Sequence, residues 1–151
     1  MDNFNTAGNN YTYTPMLFEH YESAYKLWEN TDELRLTIGD SPDSIKKYLN
    51  RNLGMSFVCI ETITGNLIGT VLGGHDGRRG FIYHLAVDIN FRNNSIGKSL
   101  VEHCINAIKN DGIERCILMV KTGNEKAGSF WKKLGWKKRD DLEMYSNNLN
   151  R

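Results

Sequence analysis

Proline is scarce in this chain, two residues in 151, and no proline-rich linker divides it. Cysteine is scarcer than a stapled fold needs. The three, Cys59, Cys104 and Cys116, are an odd count without a C-x-x-C pair, which excludes a zinc ribbon and a disulfide framework. They read as reduced thiols in a cytoplasmic protein. Long apolar runs are missing too: the longest, such as Met55–Ile60 and Ile117–Val120, fall far short of the ~18 residues of a membrane helix. Charge of one sign is also lacking. A formal net charge of +1 gives no basic footprint for a nucleic-acid scaffold. Met1 to Asn10 is polar, with neither the basic start nor the apolar stretch of a secretion signal. Residues 1–10 are expected to fray, leaving 11–151 as a single domain.

Hydrophobic residues make up 40% and charged residues 25%, the balance of a chain that can bury a core. Tyr11–Met16 alternates like a strand and meets Pro15, which suits a sheet edge. Phe18, Tyr21, Ala24, Tyr25 and Trp28 recur at helical steps to Glu29, and Ser41-Pro42-Asp43 looks like a helix start. Ser56–Thr62 and Leu67–Gly73 read as antiparallel strands about a Thr64-Gly65-Asn66 turn. A glycine-punctuated loop, 73–80, enters the strand Phe81–Asp88. Then follow a helix over Ser95–Asn110 stopped by Asp111-Gly112, and an apolar run, Arg115–Lys121, expected to be covered on both faces. A short helix, Glu125–Leu134, precedes a closing hairpin of Trp136–Arg139 and Leu142–Asn148. Strand, helix, strand at the centre makes a parallel pair beside antiparallel neighbours, hence a mixed sheet and an α/β (α+β) fold.

The most informative segment is Leu85-Ala86-Val87-Asp88 followed by Phe91 to Leu100. A strand passes through a tight polar turn into a helix whose unpaired N–H groups and positive dipole end face that turn, a ready anion site. Gly97 lets a phosphate approach the backbone, and Arg92 and Lys98 add positive charge. A plain helix capped by Ser95 explains the same residues without a ligand. Gly97-Lys98-Ser99 matches the end of a nucleotide-binding P-loop, but the opening glycine of that pattern falls on Arg92.

Arg92-Asn93-Asn94-Ser95-Ile96-Gly97 resembles the acyl-CoA signature R/Q-x-x-G-x-G/A of the GNAT superfamily of N-acetyltransferases. Asn124, Ala127, Phe130, Trp131, Gly135 and Trp136 resemble that family's second block, and the order of elements is similar from about Tyr11 to Leu149. The resemblance implies a single-domain fold with a mixed, strongly twisted sheet of about six to seven strands flanked by about four helices. It implies acetyl-CoA as co-substrate, no metal, and direct transfer of acetyl to a primary amine in a ternary complex. Leu85, Ala86 and Val87 would line the pantetheine arm, with one N–H near Leu85 polarising the thioester carbonyl. Arg92, Asn93, Asn94, Ser95, Ile96, Gly97, Lys98 and Ser99 would surround the pyrophosphate. Asn124, Phe130 and Trp131 would complete the cofactor site. The acceptor is left open between a small-molecule and a peptide amine, as is a homodimer. No nucleic acid and no membrane is expected.

Two residues depart from the pattern. Ser95 stands where glycine is usual, so Asn94 is expected to take the strained conformation. Trp131 replaces the tyrosine that protonates the leaving thiolate, and indole N–H is no acid at neutral pH. Tyr145 and Tyr83 are the remaining candidates. These departures also fit a degenerate acyl-CoA-binding sensor or interaction module. An acceptor amine must lose a proton, and His84 is the first candidate base. Strict alternation puts Ile82, His84 and Ala86 on one face of the strand, and a helical cover there would make His84 a core residue. His75 with Asp76, and then Glu61, are weaker options. His75, Asp76, Arg78 and Arg79 are the candidate acceptor site, where the arginines would favour an acidic acceptor; a solvated loop explains them as well.

Overall fold

A computed structural model of the chain describes residues 10–149. The expected fraying of residues 1–10 therefore lies outside the described residues, except at Asn10. By their internal contacts the residues group into two compact units, Met1–Met119 and Val120–Arg151.

The first unit carries a sheet of five strands in the order β1-β2-β3-β4-β5, with β1 at one edge. These are β1 (Tyr11–Pro15), β2 (Phe57–Glu61), β3 (Leu67–His75), β4 (Gly80–Val87) and β5 (Cys116–Leu118). The first four pair antiparallel, and β4 and β5 run parallel on either side of a helix, as the strand-helix-strand reading requires. Among its described residues the unit also holds three α-helices: α1 (Tyr21–Glu29), α2 (Pro42–Arg51) and α3 (Ile96–Asn110). Helix α1 buries Tyr21, Ala24 and Trp28 at three- and four-residue steps. Helix α2 begins as predicted, with Pro42 in the first turn and the Ser41 hydroxyl accepting from the Ser44 N–H at 3.2 Å. Ile96, Leu100, Val101, Cys104 and Ile108 form the buried stripe of α3.

The layers follow from β3, where neighbouring side chains point to opposite faces. The Thr70 hydroxyl meets the Trp28 indole of α1, whereas a Cβ on Gly69 would contact Leu100 of α3 at 3.0 Å. Helices α1 and α2 therefore cover one face and α3 the other. Gly73 sets how closely α3 approaches, because a Cβ there would lie 2.2 Å from Cys104 Sγ and 2.5 Å from the Met55 carbonyl oxygen.

Two expectations need correction. The apolar run Arg115–Lys121 is strand only over Cys116–Leu118, and it is not covered on both faces, since Ile117 is 40% and Met119 59% exposed. The closing hairpin does not form. In the second unit α4 (Glu125–Lys133) ends at Gly135, whose φ of 91° only glycine adopts freely, and no strand occurs among described residues 136–149. Arg139 binds Asp141 through two N–H···O contacts of 2.8 Å across the bend where the hairpin would have turned, yet no strand forms on either side of it. Among the described residues the sheet thus has five strands, where about six to seven were expected.

Candidate functional site

Strand β4 contains the main irregularity of the sheet. Thr70 stands opposite Ala86 and Leu72 opposite Tyr83, so Val71 faces both His84 and Leu85. This is a β-bulge, and His84 takes a left-handed φ of 48° within it. The bulge is pinned by a chain of hydrogen bonds. Trp28 Nε1–H donates to the Thr70 hydroxyl at 2.9 Å, and that hydroxyl donates to the His84 carbonyl at 2.9 Å.

The extra residue exchanges the faces of the strand. Before it, Ile82 lies opposite Gly73 and so faces α3; after it, Ala86 lies opposite Thr70 and joins the core of α1 and α2. Strict alternation, which grouped Ile82 with His84 and Ala86, fails at this point. His84 turns to the α1 side. Its ring stands edge-on to Trp28 at 4.8 Å, and its Nε2 lies 2.6 Å from Asp40 Oδ1.

Strand β5 leaves β4 just before the bulge, pairing only with Gly80, Phe81 and Ile82. Beyond Ile82, no strand pairs with this edge of β4 among the described residues. The Asp88 N–H donates to Ile68 at 2.8 Å, so Asp88 and Ala86 address β3 and the backbone groups of Leu85 and Val87 address the open edge. The Val87 carbonyl is already engaged by Arg92 Nε–H at 3.1 Å.

The edge runs into the polar turn. Asp88 Oδ1 accepts from the Asn90 N–H at 2.9 Å, and the Asn94 amide donates to the Phe91 and Arg92 carbonyls at 3.0 and 3.3 Å. Asn93 and Ser95 are left-handed, with φ of 68° and 60°. The strain thus falls on Ser95 itself and on Asn93, and not on Asn94 as expected. Nor does Ser95 cap α3: its side chain makes no capping bond, and the first turn holds no acidic residue. The leading N–H groups of α3, around Ile96, Gly97 and Lys98, are left to a ligand or solvent. Ser99 N–H begins the helical ladder, on the Ser95 carbonyl at 3.0 Å. An amide edge leading to an uncapped helix start fits a ligand with an amide-bearing arm and a pyrophosphate.

The other sequence candidates sit elsewhere. The His75–Arg79 loop joins β3 to β4 at the end remote from the turn, about 23 Å from Val87 at the usual rise per residue. Its groups are satisfied locally. Asp76 Oδ1 accepts from the Arg78 and Arg79 N–H groups at 2.8 Å each, and these bonds hold its carboxyl below the usual value. His75 Nδ1 accepts from the Gly77 N–H at 2.9 Å, leaving the Nε2 proton for Asp111 Oδ2 at 2.5 Å. Arg78 and Arg79 are exposed. Glu61 Oε1 accepts from the Thr64 hydroxyl at the turn after β2. Tyr83 stacks on Phe81 at 6.3 Å, and burial pushes its phenol pKa up, away from that of a neutral-pH acid. In the second unit Asn124 Oδ1 caps α4 on the Ala127 N–H at 3.1 Å, Phe130 packs edge-on to Trp131, and Trp131 is buried against Trp136. Tyr145 is 88% exposed. Among the described residues no cluster of His, Cys, Asp or Glu could hold a metal.

The residue sequence reasoning missed is Asp40. It lies 44 positions before His84, in the short turn Ile38–Asp40 ahead of α2, and the Thr37-x-x-Asp40 capping box that marks it locally says nothing of His84.

The acetyltransferase (GNAT) family model matches residues 14–136. Similar solved structures include a GNAT-family acetyltransferase from Staphylococcus aureus Mu50 at 20% identity, covering 93% of this chain and 94% of that one with a TM-score of 0.72. An aminoglycoside acetyltransferase from an uncultured soil metagenomic sample, in complex with trehalose, aligns at 19% identity over 94% of this chain and 98% of that one, TM-score 0.71. A chain of the NatC complex bound to Gag peptide and CoA aligns at 21% identity over 83% of each chain, again at 0.71. With the family model spanning most of its length, the chain belongs to the GNAT family of acetyltransferases, and it is an acyltransferase enzyme.

Proposed function

We propose that residues 11–151 form one N-acetyltransferase domain, acting in the cytoplasm, that moves acetyl from acetyl-CoA to a primary amine by direct attack in a ternary complex. One observation carries this reading. Within β4 the chain bulges, parts from β5 and exposes the Leu85 and Val87 backbone on the way to an uncapped helix. Bound there, acetyl-CoA would supply the acetyl group as an activated thioester. The open edge would hold the arm as an added strand, and the amides from Asn93 to Ser99 would hold the pyrophosphate, with Arg92 and Lys98 adding charge. In the second unit Asn124 and Phe130 are the residues matching the family's second block. The Leu85 N–H is the donor placed to polarise the carbonyl as charge develops on it.

His84 is the base. It sits one residue before that N–H, and His75, the competing histidine, has both ring nitrogens engaged. Leaving-group protonation falls to solvent, since Trp131 is no acid and burial weakens Tyr83. The acceptor stays open between a peptide amine and a small-molecule amine, since the similar structures include both a chain of the peptide-bound NatC complex and an aminoglycoside acetyltransferase. The test is titration calorimetry with acetyl-CoA alongside thiol release against free amines and short peptides. Binding with amine-dependent thiol release supports the enzyme. Binding with no turnover on any acceptor points to a degenerate acyl-CoA-binding module, and no binding sinks the site.

A further inference from the structure

We propose that Asp40 is a positioning residue for this reaction: it fixes the His84 imidazole with its proton on Nε2, so that Nδ1 is the nitrogen that takes the proton from the acceptor amine. The inference rests on His84 being the base.

Asp40 is itself held on three sides. Its Oδ2 accepts from the Thr37 N–H at 2.9 Å, and its carbonyl accepts from the Tyr21 hydroxyl at 2.6 Å. The next residue, Ser41, caps α2. The carboxylate therefore has one oxygen committed to its own turn and the other, Oδ1, aimed at His84 Nε2 at 2.6 Å. An ionised carboxylate only accepts, so the shared proton belongs to Nε2. His84 Nδ1 then carries the lone pair, and it has no hydrogen-bond partner among the described residues. Trp28 fixes the plane of the ring, and Thr70 fixes its backbone through the carbonyl of the bulge. A base whose tautomer and direction are set before the amine arrives needs no reorganisation during proton transfer.

The protein contains its own control. His75 and Asp111 form a pair of the same chemistry at the far end of β4. There the Asp side chain is 57% exposed, and Nδ1 is already occupied by the Gly77 N–H. In the pair at the bulge the side chains of His84 and Asp40 are 16% and 9% exposed, and Nδ1 is unengaged. Only the second pair can act as a base without first losing a bond.

When the proton moves, the amine N–H bond breaks and an Nδ1–H bond forms on His84, while the new N–C bond replaces the C–S bond of the thioester. The imidazolium is neutralised by Asp40 and passes its proton to solvent after the thiol leaves.

The test combines two variants, a control and a spectrum. Nitrogen NMR of the imidazoles at about pH 8, on protein without substrate, should show His84 protonated on Nε2. In Asp40→Asn, a near-isostere that keeps the Thr37 bond, the side-chain amide can donate to Nε2 and drive the proton to Nδ1. Thiol release with the fastest amine of the screen should then show kcat lowered about 10²–10⁴-fold, the span of general base catalysis, with KM for acetyl-CoA unchanged. Asp111→Asn should leave kcat unchanged. If His84→Gln is inactive while Asp40→Asn keeps wild-type kcat, the inference falls and His84 stands as the base. Full activity of His84→Gln removes both. A wild-type spectrum with the proton on Nδ1 overturns the inference whatever the kinetics.

Discussion

Ser95 offers a direct measure of how much strain the anion turn stores. It is left-handed at φ 60° and ψ 19°, its side chain is exposed, and its hydroxyl makes no capping bond. A left-handed conformation costs an L-residue about 1–2 kcal/mol, and glycine avoids that cost. Glycine also loosens the unfolded chain, which takes back about 0.4–1 kcal/mol. Ser95→Gly should therefore stabilise the protein by about 0.5–1 kcal/mol. At roughly 2–4 °C per kcal/mol for a chain of this size, the melting temperature rises by about 1–4 °C. Thermal unfolding without ligand reads the effect, and urea midpoints at constant m confirm that it is a change in stability. Acetyl-CoA affinity should change less than about twofold, because the backbone N–H groups keep their places. Ser95→Val makes the opposite test: a β-branched residue is a poor fit to this conformation, and the melting temperature should drop. A fall in melting temperature for Ser95→Gly would refute the reasoning, showing that the serine side chain stabilises the turn by more than its backbone strains it.

Gly73→Ala should destabilise the fold by about 1–3 kcal/mol or more in urea titration, since the Cys104 thiol can rotate away from the new Cβ but the Met55 carbonyl cannot. Adding Cys104→Ala should recover only part of that loss. Trp28→Phe removes the donor to Thr70 and should lower kcat more than acetyl-CoA affinity, because the bulge loses its outer pin. The thiols of Cys59, Cys104 and Cys116 are pushed by burial from an ordinary 9.0 to about 11, 12 and 11, so native protein at pH 8 should take no iodoacetamide adduct by intact mass, and unfolded protein three. The same thiols ionise first in the unfolded chain, so their effect on stability is absent below about pH 9 and grows as a loss between pH 9 and about 11.

What the sequence revealed depended on the range of the interactions involved. The passage from Leu85 to Ser99 was legible because strand, turn and helix start are adjacent in the chain and each has a local chemical signature. The start of α2 was legible at Ser41 and Pro42 for the same reason. The faces of β4 were misread because a bulge is a property of pairing: nothing between Tyr83 and Ala86 announces that Val71, a dozen residues earlier, will stand opposite two of them. Asp40 was invisible in the same way, since its role arises only when the turn before α2 is laid against the bulge. The residues after Trp136 misled in the other direction. They alternate well enough for strands, and Arg139 and Asp141 close a bend between them, but among the described residues no strand forms on either side.

The single extra residue in β4 also determines which sequence changes this chain can absorb. A substitution at His84 would cost the imidazole and leave the pleat intact. A deletion there would restore unbroken alternation: Leu85 alone would stand opposite Val71, Ala86 would stay opposite Thr70, and the bulge would be gone. Point changes can tune this strand, whereas a one-residue loss would erase the bulge, and with it the carbonyl that Thr70 holds and the imidazole that Asp40 meets.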